Sequence, residues 1–361
     1  MIQNKTIAVV VPAYNEEQQI GKVIAGIPDF ADRIIVVNDA STDATAEVVS
    51  SLFEKTGTRT LPEAKEDTFG DYGHAGNILR QMNEEELQLF SEAEVVHPAA
   101  DRRLVLINLK KNSGVGAAIA RGYKYAKDLQ IDCTAVMAGD GQMDPAELEK
   151  ICRPVIEENV DYVKGNRLRH RGARRMIPRT RFFGNSVLSI LTKIASGYWR
   201  VSDTQTGYTA ISKNALNLID LYDIYPRYGM PNDLLVKLNI VYCTIKEVNI
   251  NPVYGIGEKS KMRPHKVVFP VTWLLIKSFF KRMWQKYLFT DFHPLFILYH
   301  FGIILLLIAF PYLIKILRLM ILGIPANPVT VMAFVFLFIS GSQSLLFAMW
   351  MDIIDNERLY K

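Results

Sequence analysis

Short β-branched apolar runs alternate along this chain with longer stretches in which apolar positions recur at helical spacing. Thr6–Val11 (TIAVVV), closed by Pro12, and Arg33–Val37 (RIIVV) read as buried parallel strands. Val105–Leu109, Thr134–Met137 and Asp161–Lys164 have the same character. Between them the pattern predicts helices over Glu16–Ile27, Asp43–Lys55, Val115–Lys127 and Pro145–Glu157, the second with Ser41 or Asp43 as its N-cap. Such βαβ alternation predicts an α/β fold with a doubly wound, mostly parallel sheet. No internal repeat is visible.

The rhythm breaks once, over residues 57–101, which carry ten carboxylates against Arg59, Lys65 and Arg80. This acidic insert reads as a solvated excursion, or else as a lid or a contact through which copies form a homo-oligomer. The pattern changes for good near the C-terminus. Val267–Phe289 mixes aromatic residues with Lys277, Lys281, Arg282 and Lys286, as an amphipathic helix in a membrane interface does. Leu295–Ile314 and Val329–Ile353 are then long enough to cross a bilayer core, which takes about 20 residues. A pair of buried core helices is the plainer alternative. The expected organisation is therefore a domain over 1–262, a juxtamembrane segment over 263–291 and a transmembrane hairpin with a short tail over 292–361.

Composition sharpens this picture in three places. Hydrophobic residues make up 49% of the 361, but they concentrate behind residue 289. Cys133, Cys152 and Cys243 are far apart, which argues against a disulfide framework or a zinc site and for a reducing compartment. The start lacks the basic and apolar regions of a signal peptide, and the cations before the first span mark its cytoplasmic side, so the front domain is expected in the cytosol of an integral membrane protein.

Candidate chemistry clusters at strand ends. Val11 to Glu17 (VPAYNEE) follows the first strand at the edge where α/β proteins bind ligands, and helix N–H groups there favour anions. The second strand ends in Asn38-Asp39-Ala40-Ser41-Thr42-Asp43, placing a carboxylate in reach of a base or ribose, although Asp39 alone also serves to cap a turn. Asn112 to Ala118 (NSGVGAA) is built of small residues that permit close approach, without the full spacing of a dinucleotide-binding loop. Met137-Ala138-Gly139-Asp140-Gly141-Gln142 puts a carboxylate beside glycines, a turn or a place for a hard cation that keeps waters and bridges to substrate phosphates. Lys164–Arg181 holds eight Lys/Arg and no carboxylate; it is a solvated basic face or a contact for anionic lipid head groups, and it lacks the interleaved aromatics of nucleic-acid binding, so no nucleic-acid partner is expected.

Together these elements resemble the family 2 glycosyltransferases of GT-A fold, and within them the polyprenyl-phosphate sugar transferases similar to dolichyl-phosphate mannose synthase. The resemblance spans about Thr6–Met262 apart from the insert. It implies that Pro12, Ala13, Tyr14, Glu16 and Asp39 line a nucleoside pocket with Ala118 and Gly139 nearby. It implies too that Asp140 and Gln142 sit at a Mg²⁺ or Mn²⁺ ion and the pyrophosphate. The family's Asp-x-Asp-x-Gln has Ala138 in its first acidic position here, leaving Asp140. Gly165-Asn166-Arg167 resembles its Gly-Ser-Arg element, Arg181 with Gly184-Asn185 its Arg-x-x-Gly-Asn helix start, and Asp203 to Tyr208 (DTQTGY) its stretch beside the transferred sugar. Ser260-Lys261 resembles the juxtamembrane Ser-Lys element, so Arg167, Arg181, Ser260 and Lys261 are implied at the acceptor phosphate. Asp233 falls where relatives with sugar acceptors keep a catalytic base; it is read as a base, a sugar contact or a helix cap.

The implied activity is inverting transfer of a sugar from a UDP- or GDP-sugar to a membrane polyprenyl phosphate. Two rivals remain. A glycosyltransferase building a polysaccharide or glycolipid requires a base and a QxxRW-type element, which is not found. A non-catalytic nucleotide-binding membrane scaffold predicts binding without turnover.

Overall fold

A computed structural model describes residues 1–61, 81–82, 84–96, 101–168, 179–251, 253 and 264–361, of which 179–185 and 264–267 by backbone alone. The first half follows the expected alternation: β1 (Ile7–Ala13), α1 (Ile20–Gly26), β2 (Arg33–Asn38), α2 (Thr45–Ser50), α3 (Phe53–Thr56), β3 (Ala93–Val96), β4 (Leu104–Leu109), α4 (Val115–Asp128), β5 (Cys133–Val136), α5 (Leu148–Glu157) and β6 (Tyr162–Asn166). Then come α6 (Arg179–Ser196), β7 (Thr209–Ser212), α7 (Lys213–Leu218), α8 (Met230–Ile240), β8 (Ile245–Asn249), α9 (Pro264–Trp284), a π-helical turn (Gln285–Thr290), α10 (Pro294–Ile321) and α11 (Pro328–Glu357).

The strands form one sheet in the order β3-β4-β2-β1-β5-β7-β6-β8. Its centre is parallel, with Val10 beside Ile35 on one side and Val136 on the other. β3 and β7 run antiparallel to their neighbours. The chain winds from β1 outward to β4 and then returns to β5, so the winding reverses between β1 and β5. The carboxyl edge at such a reversal is where open α/β sheets bind ligands. The central strands are buried on both faces, which is why they read as unbroken apolar runs.

Three expectations change. The helix expected from Glu16 begins only at Ile20, after a turn in which the N–H groups of Glu16 and Glu17 are bound by Thr45 Oγ1 (2.9 Å) and Asp43 Oδ2 (3.2 Å). The helix expected over 43–55 is split into α2 and α3, and Ser41 serves the preceding loop by accepting Asn15 N–H at 3.0 Å. Asp43 does accept the N–H of Thr45, 3.0 Å away. The acidic insert is more than an excursion, since Ala93–Val96 pairs with β4 as the edge strand of the sheet; its residues 62–80, 83 and 97–100 lie outside the described residues.

α10 and α11 are 28 and 30 residues long, enough for roughly 40 Å of helix, against a bilayer core of about 30 Å. Most of their apolar side chains, among them Leu307, Phe310, Phe336 and Trp350, face outward without protein cover. The alternative of buried core helices fails on that exposure. α9 turns Val271, Leu275 and Met283 into the core and Phe269 and Trp273 outward. Of the four cations read as its interfacial charge, Arg282 and Lys286 are fully buried.

Those two cations have a different task. Arg282 makes a bidentate pair with Asp352 of α11, Nη1–Oδ1 2.7 Å and Nη2–Oδ2 2.9 Å, both side chains being fully buried. It also donates to Ala195 O (2.9 Å) and Ile194 O (3.0 Å), satisfying the orphan carbonyls at the end of α6. Gly197, at φ +75°, makes room: a Cβ there would lie 2.4 Å from Arg282 Nη1. Lys286 Nζ donates to Asn239 Oδ1 of α8 (3.0 Å) and Asn356 Oδ1 of α11 (2.7 Å). Past α11 the chain rejoins the sheet domain, with Ile245 N–H donating to Leu359 O at 2.7 Å and Arg200 N–H to the Tyr360 hydroxyl at 2.7 Å. The hairpin thus leaves and returns on one side.

Removing one partner of a buried pair strands the other's charge, which costs about 3–5 kcal/mol. Arg282→Met and Asp352→Leu should each lower the thermal midpoint of the detergent-solubilised protein by a loss of that size. The double variant should recover part of it, and additive losses would contradict the pairing.

Candidate active site

The carboxyl ends of β1, β2 and β5 are laced together by main-chain bonds. Asp39 N–H donates to Ala13 O (2.9 Å) and Gly139 N–H to Pro12 O (3.1 Å), so four of the expected residues meet across the winding reversal. Gly139 eases this close approach, since a Cβ would come within 3.2 Å of Pro12 O and 3.1 Å of Ile20 Cδ1. Tyr14 projects from the end of β1, 36% exposed, and Glu16 sits in the turn before α1. The loop after β1 and the loop after β2 exchange side-chain bonds, including Thr42 N–H to Asn15 Oδ1 at 2.8 Å.

Asp39 is buried and has a specific task. Its Oδ1 accepts Ser113 N–H at 2.7 Å and its Oδ2 accepts Gly114 N–H at 2.8 Å, fixing the small-residue loop ahead of α4. Burial raises its pKa; the two N–H bonds and the charge of Arg227 oppose that. The loop is pinned from the other side as well. Pro226 O accepts Gly116 N–H (2.8 Å) and Ala117 N–H (3.2 Å), and a Cβ on Gly116 would lie 2.1 Å from Tyr225 O. Ala118, one turn into α4, is fully buried in the core and supports this loop from below.

Asp140 lies just beyond β5, half-buried, with its Oδ1 accepting Gln142 N–H at 3.0 Å. Among the described residues no group of three or more His, Cys, Asp or Glu side chains gathers as a closed metal cage. One carboxylate and the Gln142 amide fit an ion that keeps waters and is completed by substrate phosphates. The turn is backed by Met143 and Asp144, whose carbonyl accepts the Tyr208 hydroxyl at 2.9 Å, so the 203–208 stretch abuts it.

That stretch is anchored by a charge network that sequence reasoning found only in part. Arg167 grips Asp203 through Nε–Oδ2 (2.8 Å) and Nη2–Oδ1 (3.0 Å), a bidentate fork. Burial alone would push the Asp203 carboxyl up, but the bonds and charge of Arg167, with Lys164, hold it below the usual carboxylate range. Glu247 accepts the N–H groups of Ser202 (2.8 Å) and Asp203 (2.9 Å) and the Asn166 amide (3.0 Å). Lys164, fully buried, donates to Thr206 O at 2.8 Å. Nothing in the sequence marks Glu247, which reads as one polar position of a short alternating strand.

Asp233, in the first turn of α8, accepts Tyr225 N–H (2.9 Å) and Lys237 Nζ (2.8 Å) with one oxygen. It therefore holds the 225–229 loop. Asn232 beside it is fully buried and accepts from Gln205 (2.9 Å) and Thr192 (3.1 Å). The Arg181 side chain, Ser260 and Lys261 lie outside the described residues.

A sequence model described as Glycosyl transferase family 2 matches residues 8–67 and 90–219, the stretches that build this edge. The chain belongs to glycosyl transferase family 2. It is 28% identical over 252 residues to a UDP-N-acetylglucosamine–dolichyl-phosphate N-acetylglucosaminyltransferase of Methanococcus voltae, covering 70% of this chain and 87% of that one. It is 25% identical to a dolichyl-phosphate beta-glucosyltransferase of Trichomonas vaginalis, covering 67% of this chain and 62% of the relative. Among solved structures, glucosyl-3-phosphoglycerate synthase of Mycobacterium tuberculosis with Mn²⁺, UDP and its product superposes with TM-score 0.47 at 18% identity, over 77% of this chain and 80% of that chain.

Lys164 gives this glycosyltransferase a measurable pH dependence. Burial lowers its pKa from 10.5 to about 8, partly offset by Asp203 and Glu247. Between those values the unfolded chain holds a proton that the folded chain has released, so this contribution to stability rises with pH, by up to about 1.4 kcal/mol per unit. Below pH 8 the buried ammonium is retained and its contribution is flat. Lys164→Met should lack the rise, and parallel stability curves for both proteins between pH 8 and 10 would contradict the assignment.

Proposed function

We propose that this enzyme transfers a sugar from a UDP- or GDP-sugar to the phosphate of a membrane polyprenol, dolichyl or undecaprenyl, with inversion at the anomeric carbon. The observation that carries this reading is the attachment of the sheet domain, through Arg282 and Asp352, to a two-helix hairpin long and apolar enough to cross a bilayer. The two dolichyl-phosphate relatives support the acceptor class. In this reading the catalytic domain is cytoplasmic, where nucleotide-sugars are made.

Pro12, Ala13, Tyr14, Glu16 and Asp39 with Gly139 form the donor pocket, Asp39 through the loop it fixes as well as by its own position. Asp140 and Gln142 would hold a Mg²⁺ or Mn²⁺ ion, which would neutralise charge on the diphosphate. Arg167, its fork oriented by Asp203, joins Arg181, Ser260 and Lys261 around the acceptor phosphate. A phosphate oxygen forms the bond to the anomeric carbon as the bond to the diphosphate breaks in line. The acceptor is ionised at pH 7, so no proton has to be removed. Asp233, already bonded to Tyr225 N–H and Lys237, serves as a positioning residue. The rate then comes from alignment and from cations around the moving charge.

Purified protein incubated with a panel of nucleotide-sugars, Mg²⁺ or Mn²⁺ and short polyprenyl phosphates should yield one lipid-linked product identifiable by mass. The matching unphosphorylated polyprenol should not react; equal rates on both would defeat the lipid-phosphate reading. Asp140→Asn should lower transfer on the order of 100-fold or more while the protein stays folded. A near-normal rate with metal present would remove Asp140 from the chemistry.

A further inference from the structure

We propose that Arg227 is a donor-binding residue: its guanidinium clamps the diphosphate of the nucleotide-sugar at the mouth of the pocket floored by Asp39 and the Ser113–Gly116 loop. This rests on the donor reading of the same edge.

The loop that carries Arg227 is rigid by construction. Pro226 O takes two N–H groups from the start of α4, Tyr225 N–H is bonded to Asp233, and Met230 N–H donates to Arg227 O at 3.0 Å. Gly229 closes the other end: a Cβ there would lie 2.9 Å from Leu274 Cδ2 on α9 and 3.0 Å from the Tyr225 ring. A long cation on so fixed a base loses little freedom on binding.

Its placement is equally specific. Gly114 has φ +98°, and a Cβ at that position would lie 3.2 Å from Arg227 Cγ and 2.4 Å from Pro226 O. The Arg227 stem therefore lies on the residue whose N–H is bonded to Asp39. Arg227 is exposed and makes no ion pair among the described residues, whereas Lys164, Arg167 and Lys237 are each engaged by protein partners. Its nearest opposite charge is Asp39, whose pKa it helps to lower and whose oxygens are bonded to Ser113 and Gly114 N–H.

The ligand class follows from what else stands at this edge. Asp39 and Gly139 end strands two positions apart, a separation of roughly 10 Å at the usual strand spacing. A nucleoside near Asp39 thus directs its diphosphate along the edge toward Asp140. Ala138 removes one acidic residue from that end, so an ion there is held by fewer protein charges and the diphosphate gains more from a protein cation. Arginine suits this role because its planar fork matches phosphate oxygens in pairs.

The test is calorimetric binding of UDP and of GDP, with Mg²⁺, to the full chain in detergent, for wild type, Arg227→Ala and Arg227→Lys. A charge-assisted bond of about 1.5–3 kcal/mol corresponds to a loss of roughly 10- to 100-fold in affinity for Arg227→Ala. Arg227→Lys should fall between, keeping the charge and losing the fork. The nucleotide-free melting temperature should stay unchanged, because the side chain is exposed. Wild-type affinity in Arg227→Ala overturns the clamp while leaving the donor reading intact. A melting temperature that falls in step with affinity reassigns Arg227 to the fold and overturns it too. A wild-type protein that binds neither nucleotide overturns the donor reading and the clamp together.

Discussion

The bidentate contact between Arg282 and Asp352 ties the apolar hairpin to the sheet domain. A charge pair without exposure is expensive to desolvate, and it persists only where geometry and additional bonds compensate. Here the compensation is unusually distributed: the guanidinium also closes the last carbonyls of α6, the carboxylate sits beside Tyr287 and Asn356, and Lys286 bridges to α8. Each added bond belongs to a different element. The contact therefore joins the ends of α6 and α8 to α11, and the other end of α8 carries Asp233, which holds the 225–229 loop against the start of α4.

At the catalytic edge the constraint is the reversal of winding between β1 and β5. Three strand ends converge there, and their last residues are joined by main-chain bonds that leave little room for side chains. Glycine at 114 and 116 is dictated by such close approaches, and Gly139 keeps the same edge open. The pocket floor is consequently made of backbone, and its specificity has to come from the few side chains that project over it.

The sheet's centre and both spans were legible because their signal is local: unbroken β-branched runs for strands covered on both faces, and long uncharged stretches for helices facing outward. The three remaining short strands were not. β3 is four residues inside an acidic stretch, β7 is equally short, and β8 (IKEVN) alternates charges in a way that a loop also does. Pro12, Ala13, Asp39 and Gly139, singled out at strand ends, are joined there by main-chain bonds, since all four lie within three residues of a strand end. Partners remote in sequence stayed invisible: Glu247 beneath Asp203, and Arg282 and Lys286, whose charges look interfacial on a helical projection but turn inward, Arg282 to Asp352 and Lys286 to Asn239 and Asn356. Only the folded arrangement pairs residues 70 positions apart.

The fate of the acids along the edge bears on the chemistry. Asp39 is held by two backbone N–H groups, Asp203 by Arg167, Asp233 by Tyr225 N–H and Lys237, and Glu247 by three N–H donors. Each of these four carboxylates is engaged by protein donors, which hold it in place on the edge. An edge arranged in this way favours reactants that arrive already anionic and need only cations and alignment. It suits a transfer between two phosphate-bearing substrates better than one to a neutral sugar hydroxyl, because in the first case the nucleophile's charge is supplied before binding and the protein has only to hold it against the departing diphosphate.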